Sequence, residues 1–226
     1  MKKIVIIFAL LSCTINCCAQ DNDIKSKNNN PIKSVVILGN SIVIHGPKAD
    51  IGWSGNWGMA ASVADSDFVH RLMADIHKVD SSTKVSFGSL STFEREYESY
   101  DLSQLAQFRN ADMLIIKISE NVVYDKSKMN SFMERYNKLM KYLAPKARTR
   151  KIIVEGFWPT PVNDLIKAYA QKNKIPFVPL ADLYSNDPSN SAVGLFENPG
   201  VARHPSDKGM RNIADRIWKC INKYFH

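Results

Sequence analysis

Cysteine is scarce in this chain, and its distribution excludes a fold held together by disulfides. Only four cysteines occur in 226 residues. Three of them, Cys13, Cys17 and Cys18, fall in an apolar segment at the start of the chain, which leaves Cys220 alone in the remainder. A lone cysteine cannot form an internal disulfide. Cys220 stands in an apolar helical pattern, so we interpret it as a small buried side chain.

Long hydrophobic runs are also missing. The apolar run from Ile4 to Leu11 is far shorter than the roughly 20 residues that span a bilayer. Basic residues precede this run, and small residues ending at Ala19 follow it. This order predicts a secretory signal peptide that is cut after Ala19. A bacterial lipoprotein signal, in which one of the three early cysteines carries the lipid, is the alternative interpretation.

We therefore expect three segments: a signal peptide over residues 1–19, a polar flexible tether over 20–31 and one folded domain over 32–226. With 45% hydrophobic and 10% aromatic residues, the chain can bury a full core. The expected location is periplasmic or extracellular. The protein is either released or held at the outer membrane by a lipid anchor, and we expect membrane contact only through such an anchor.

Several ligand-binding motifs are absent. The chain contains no Gly-x-Gly-x-x-Gly, no Gly-x-x-x-x-Gly-Lys-Ser/Thr and no His-Glu-x-x-His, so we predict no nucleotide cofactor and no metal site. The formal net charge is +8, but the positive residues are dispersed. We interpret their densest group as a solvated face at a helix end and expect no nucleic-acid partner. This densest group of positive residues consists of Lys138, Lys141, Lys146, Arg148, Arg150 and Lys151. The oligomeric state stays open.

Short apolar runs alternate with helical patterns along the rest of the chain. Strands buried on both faces read as nearly continuous apolar runs, and parallel strands need long crossovers. The alternation therefore predicts an α/β protein, a three-layer α/β/α sandwich with a five-stranded parallel sheet of the flavodoxin-like type. The predicted strands are 34–38, 84–90, 112–118, 151–155 and 176–180, and the predicted helices are 57–79, 102–108, 128–143, 162–173 and 207–225.

Ligands of such folds bind beyond the carboxyl ends of the strands. Ser41 follows the first strand there and is a candidate nucleophile, which needs a base within hydrogen-bond reach. His204, in the loop before the last helix, is the favoured base, and His45 stays an alternative. Asn121 after the third strand and the backbone N–H of Gly58, which the pattern places at the first helix's start, are candidate donors to an oxyanion, together with the N–H of Ser41.

These residues lie in sequence blocks that resemble the four blocks of the SGNH (GDSL-type) hydrolases. The blocks are GNSI with Ser41, WGMAAS with Gly58, SEN with Asn121 and HPSDKGM with His204, in the family's chain order. The resemblance spans most of the chain. It implies the same three-layer fold and the activity of an esterase, lipase, acyl transferase or carbohydrate deacetylase.

One departure from the family concerns the acid of the catalytic triad. The family usually places Asp three residues before the histidine, where this chain has Val201. Either a backbone carbonyl orients His204, giving a Ser–His dyad, or another acid substitutes, with Glu197 as the nearest candidate. Asp207 is close in sequence, but we expect it to cap the last helix.

Three tryptophans stand near the predicted site. Trp53 and Trp57 flank Gly58, and Trp158 follows the fourth strand; each could stack on a sugar ring, although aromatics beside a sheet also serve as core. We expect a serine esterase that removes acyl groups, chiefly acetyl, from a carbohydrate or other small polar substrate. The alternatives are an inactive carbohydrate-binding protein that keeps the fold, and a flavodoxin-like cofactor carrier.

Overall fold

The computed structural model describes residues 31–225. The predicted signal peptide, residues 1–19, lies outside the described residues, as does the predicted tether apart from Pro31. Within 31–225, no helix is both long enough and apolar enough to cross a membrane.

A five-stranded sheet, parallel throughout, forms the centre of the domain, in the order β2-β1-β3-β4-β5. The prediction of a five-stranded parallel sheet is confirmed. Strand β2 lies on one side of β1, and the chain then returns to place β3 on the other side of β1. This change of direction opens a crevice at the carboxyl ends of β1 and β3. The strands are β1 (Ser34–Gly39), β2 (Lys84–Ser89), β3 (Met113–Lys117), β4 (Arg150–Val154) and β5 (Phe177–Val178).

Helices cover both faces of the sheet. Alternate residues of β1 point to opposite faces, as the period of a strand requires. Val35 and Ile37 pack in one core cluster with α1 and α7, whereas Val36 and Leu38 pack in a second with α3 and α4. The three-layer prediction is thus confirmed. The helices are α1 (Phe68–Val79), α2 (Ser91–Glu96), α3 (Met129–Leu143), α4 (Pro161–Lys172), α5 (Ala181–Asn186), α6 (Pro199–Ala202) and α7 (Asp207–Ile221).

A third, smaller apolar cluster lies apart from the two large ones. It joins the segment before α1 to the segment around α6. Both segments connect elements at the carboxyl edge of the sheet, so the cluster packs two loops of that edge together. Its buried members are Trp53, Met59, Ala60, Ala192 and Val201.

The first helix begins later than the sequence pattern predicts. The predicted start was residue 57, but α1 begins at Phe68 because the Asp67 side chain caps it by accepting from the backbone N–H of His70 at 2.8 Å. Residues upstream form a loop in which Ala60 has a φ of 73°, a conformation that no α-helix contains. Val63, which extended the apolar pattern, is 53% exposed.

The last helix also differs in its cap. Ser206, not Asp207, is the N-cap of α7, and its side chain accepts from the backbone N–H of Gly209 at 3.2 Å. Asp207 instead binds the backbone N–H and the hydroxyl of Ser62, at 2.8 and 2.6 Å. The helix ends at Ile221 rather than at residue 225. Cys220 is buried and forms no disulfide within residues 31–225, as predicted.

Candidate active site

The turn that carries Ser41 follows directly from the end of β1. A Cβ on Gly39 would lie 2.6 Å from the side chain of Val43 and would also meet the backbone carbonyl of Lys117, so only glycine lets the strand end this close to β3. The next residue, Asn40, is fully buried. Its backbone carbonyl accepts from the N–H groups of Val43 and Ile44, at 2.9 and 3.1 Å. These bonds close a tight turn with Ser41 at its start.

His204 reaches this turn from the loop between α6 and α7. The Ser41 Oγ lies 2.7 Å from His204 Nε2, and His204 Nδ1 lies 2.8 Å from the carbonyl oxygen of Gly200. A carbonyl oxygen only accepts, so Nδ1 carries the proton and donates it. Nε2 is therefore the acceptor for the Ser41 hydroxyl, which is the tautomer that a general base requires. His45 is not at this position; its Nδ1 bonds the carbonyl of Gly46 at 2.6 Å.

Burial keeps the His204 ring neutral. Its exposed fraction is 7%, and the cost of burying an imidazolium lowers the pKa of His204 from 6.5 to about 4. The hydrogen bond to Gly200 and the negative charge of Glu120 oppose this change but do not reverse it. A neutral histidine at neutral pH can take a proton from Ser41 at once.

No carboxylate orients His204 within the described residues. Val201, at the position where the family usually has its acid, is fully buried in the third apolar cluster, where a charge would be costly. Glu197 is exposed and makes no hydrogen bond or ion pair within residues 31–225. The suggestion that Glu197 supplies the acid is therefore not supported by the geometry. The Gly200 carbonyl takes that place, which is the dyad arrangement.

Gly58 does not offer the free N–H that the sequence suggested. Its backbone N–H donates to Asp67 Oδ2 at 2.9 Å, and both groups are buried. Because α1 begins ten residues later, Gly58 lies in a loop and not at a helix start. A Cβ here would lie 2.6 Å from the Ile42 carbonyl. Gly58 therefore packs the loop against the Ser41 turn, and the N–H itself is engaged.

Asn121 lies after β3, as predicted, and its amide is held at both ends. Nδ2 donates to Glu94 Oε2 at 2.7 Å, and Oδ1 accepts from Arg95 at 3.1 Å. A side-chain amide has two N–H groups on Nδ2, and the second has no acceptor within residues 31–225. The backbone N–H of Ser41 likewise has no partner in this range. These two N–H groups are the candidate oxyanion donors that the geometry leaves available.

The three predicted tryptophans are less exposed to solvent than stacking on a sugar ring requires. Trp53 is 4% exposed, packs edge-on against Trp57 and donates to the His45 carbonyl at 3.1 Å, so it belongs to the core. Trp158 is 8% exposed; its ring lies against the His204 ring and under the guanidinium of Arg203, 4.2 Å from the ring centre. Trp57 alone is partly exposed.

Sequence reasoning missed three charged residues beneath these loops. The side chains of Lys117 and Glu120 are 0% and 1% exposed, and Glu94 is 1% exposed. Lys117 and Glu120 form an ion pair. The unbroken apolar run of β3 around Lys117 was the one signal that a charge is buried there. No group of three or more His, Cys, Asp or Glu side chains in the part of the chain that the structure describes is placed to hold a metal ion.

The domain is a parallel α/β/α sandwich with a serine–histidine pair at the carboxyl edge of its sheet. Comparison with solved structures identifies this fold as the fold of the SGNH (GDSL-type) hydrolases. The acetyl xylan esterase AlAXEase matches over 83% of this chain and 99% of its own, with a TM-score of 0.53 and 16% identity. The esterase EstA from Pseudoalteromonas sp. matches over 85% of this chain and 98% of its own, with a TM-score of 0.52 and 14% identity.

A two-domain esterase (CEX) active on acetylated mannans is also similar, with a TM-score of 0.50 and 18% identity. The match covers 85% of this chain but spans only half the length of that esterase. No family model matches the sequence, and no curated protein is similar to it in sequence. The shared feature is thus the fold, at identities of 14–18%.

Proposed function

We propose that this chain is a serine esterase that hydrolyses acyl esters by a Ser–His mechanism. The observation that carries the proposal is the 2.7 Å contact between Ser41 Oγ and the unprotonated Nε2 of His204. The fold places both groups at the sheet edge where α/β proteins bind ligands. The esterases among the similar structures support the same conclusion.

The reaction uses two acyl-transfer steps. Ser41 Oγ attacks the ester carbonyl carbon while His204 Nε2 takes its proton, and the carbonyl oxygen becomes an oxyanion near the free N–H groups of Ser41 and Asn121. Nε2 then returns the proton to the leaving alcohol as the ester bond breaks. A water molecule attacks the acyl-serine, His204 takes a water proton and passes it to Ser41 Oγ, and the carboxylic acid leaves. Throughout, the Gly200 carbonyl holds Nδ1–H.

For the substrate we propose an acetyl ester on a carbohydrate. Two similar structures, the acetyl xylan esterase and the esterase active on acetylated mannans, support this choice. The export signal predicted over residues 1–19 would place the enzyme where cell-wall and extracellular glycans occur. The partly exposed Trp57 is the remaining aromatic candidate for contact with a sugar. Export itself is part of the proposal, and the mass of the mature protein purified from its host would reveal cleavage and lipidation.

The experiment that tests this function compares the wild type with Ser41→Ala and His204→Ala on p-nitrophenyl acetate. Each variant should lose kcat by a factor on the order of 10³ or more, because the two residues act as one unit. His45→Ala is the matched control, since His45 is four residues from Ser41 but bonds Gly46, and it should keep its activity. Equal rates in wild type and Ser41→Ala would contradict the proposal.

A second candidate, a carbohydrate-binding protein without catalysis, is favoured by one observation. The N–H of Gly58 is engaged by Asp67, so the site holds fewer free donors than an oxyanion site with three. Labelling with a fluorophosphonate separates the two functions, because the reagent needs a serine that attacks. Unlabelled Ser41 together with measurable binding of an acetylated xylan oligosaccharide would favour the binding protein.

A further inference from the structure

Three ionisable side chains are buried beneath the active-site loops, and stability does not explain them. The side chains of Lys117, Glu120 and Glu94 are shielded from solvent almost completely. Burying a charge is costly, and replacing a whole buried ion pair with neutral side chains of similar volume is often neutral or stabilising. Charges kept at such a place call for a role in the neighbouring site.

The Glu120 carboxylate joins three loops at the carboxyl edge. Its Oε2 accepts from Asn40 Nδ2 at 2.6 Å, and its Oε1 accepts from the backbone N–H of Phe157 at 2.8 Å and from Lys117 Nζ. Asn40 immediately precedes Ser41. Phe157 immediately precedes the tryptophan that packs against the His204 ring. One carboxylate thus connects the loops after β1, β3 and β4. It reaches the Ser41 turn through Asn40 and the His204 side of the site through Phe157.

The Glu94 carboxylate fixes the oxyanion side of the site. It accepts from the backbone N–H of Ser119 at 2.8 Å, from the backbone N–H of Asn121 at 3.3 Å and from Asn121 Nδ2 at 2.7 Å. Arg95, its neighbour on α2, holds the other end of that amide. The amide therefore cannot rotate by 180° without losing two hydrogen bonds, so its second N–H keeps one direction.

We propose that Lys117, Glu120 and Glu94 form a positioning network for this active site, in which Glu120 fixes the turn that carries Ser41 and Glu94 fixes the amide of Asn121. The proposal rests on the serine esterase function. Burial alone would raise the pKa of the Glu120 carboxyl, but the Lys117 ammonium and the hydrogen bonds from Lys117, Phe157 and Asn40 together outweigh burial, lower that pKa and hold Glu120 as an anion. The two members of the ion pair act on His204 with opposite signs, since the charge of Glu120 raises the pKa of the histidine and the charge of Lys117 lowers it.

Glu120→Gln probes the network directly. All three partners of Glu120 are donors, so an amide, which accepts on one atom only, must lose at least one of them. This variant also leaves Lys117 buried without its partner, which could unfold the protein. The double variant Lys117→Met/Glu120→Gln removes both charges, keeps similar volumes and avoids that problem. Glu155→Gln is the matched control, because Glu155 also follows a strand and accepts two backbone N–H bonds, from Leu180 and Ala181.

We expect the double variant and Glu94→Gln to lose kcat about tenfold or more with KM changed less than about twofold, since small displacements of reacting groups are costly. Labelling of Ser41 by a fluorophosphonate should slow by a similar factor. Glu155→Gln should keep the wild-type kcat. A double variant with the wild-type kcat would overturn the proposal.

Hydrogen exchange keeps the test independent of the substrate. Loss of the bonds to Asn40, Phe157 and Asn121 should speed amide exchange in residues 40–45 and 119–123 of the network variants, but not in Glu155→Gln. If the wild type hydrolyses no ester and resists labelling, the proposed function fails, while faster exchange in these segments would still support the positioning role. Unchanged exchange in them would then overturn it.

Discussion

His204 shows how burial of one side chain decides what a site can do. A solvated histidine has a pKa of about 6.5 and would be half-charged in mildly acidic solution, whereas the pKa of His204 is lowered to about 4 because its ring is buried. The base is then ready over the whole neutral range. Only a strongly acidic medium protonates it.

The pH profile of the esterase tests this directly. Because catalysis needs neutral His204, kcat/KM should be flat on its acid side down to about pH 5 and fall tenfold per pH unit below about pH 4. The measurement is kcat/KM on a chromogenic acetate between pH 3.5 and 8, with circular dichroism to verify folding at each pH. An acid limb near pH 6.5 that persists in Glu94→Gln, which lacks the other group of the site that titrates in this range, would show that His204 is solvated in the working enzyme.

Gly58 supports a second prediction at the residue scale. A Cβ at this position would approach the Ile42 carbonyl to 2.6 Å and the Asp67 Cβ to 3.0 Å. Gly58→Ala should therefore destabilise the protein by about 1–3 kcal/mol, as overpacking usually does. Gly46→Ala is the control, since its nearest contact is 3.9 Å away. Urea denaturation of both variants gives the comparison, and equal midpoints would contradict the packing role of Gly58.

The sequence allowed Ser41, Asn121 and His204 to be placed near one edge, because Ser41 and Asn121 follow strands with a clear apolar pattern and His204 precedes a helix with one. It did not reveal the partners of those residues. Glu94 lies in the polar stretch Ser91–Glu96, which reads as exposed surface, and its burial results from loops of β1 and β3 that close over it. Such contacts join residues far apart in the chain, so no local pattern records them.

At the scale of elements, the shortest helix carries the carbonyl group that orients the histidine of the site. Helix α6 has four residues, and its Gly200 carbonyl orients His204. So short a helix is not stable by itself. The Asn198 side chain caps it by accepting from the N–H groups of Gly200 and Val201, at 2.9 and 3.2 Å. The cap and the buried Val201 together hold the carbonyl in place.

Removing this cap should therefore affect catalysis as well as stability. Asn198→Ala should cost about 0.5–2 kcal/mol of stability, as caps do, and should lower kcat several-fold because Nδ1 loses a fixed acceptor. Asp101→Ala is the control, since Asp101 caps the helical turn Leu102–Phe108 through Ser103, without contact to His204. Thermal melts and kcat on the same preparations decide the matter; a wild-type kcat in Asn198→Ala would argue against this role of α6.

The strands were easier to predict than the helix ends. Buried parallel strands are apolar throughout, and four of the five were placed to within one residue at each end. The start of α1 was wrong because Val63 continued the helical spacing, although the chain there is a loop and the side chain is exposed. Helices α2, α5 and α6 were not predicted, since segments of four to six residues are too short to show a helical period.

At the scale of the whole molecule, the buried site couples folding to pH through two groups with opposite signs. The pKa of His204 is lowered from 6.5 to about 4 by burial, so between these values the unfolded chain binds a proton that the folded one does not, and stability rises with pH. The pKa of Glu94 is raised from 4.5 to about 7 by burial and by the charge of Glu120. Between those values the folded chain binds the extra proton, and stability falls as pH rises.

The two effects overlap between about pH 4.5 and 6.5 and should largely cancel there. His204→Gln should therefore become less stable as pH rises through this window, and Glu94→Gln more stable, each relative to the wild type. The limit for one proton is about 1.4 kcal/mol per pH unit. Urea denaturation at pH 4.5, 5.5 and 6.5 measures the slopes. The variant His204→Gln/Glu94→Gln should regain the wild-type slope, because both protons are then removed. Parallel slopes in all four proteins would mean that folding shifts the pKa of neither group.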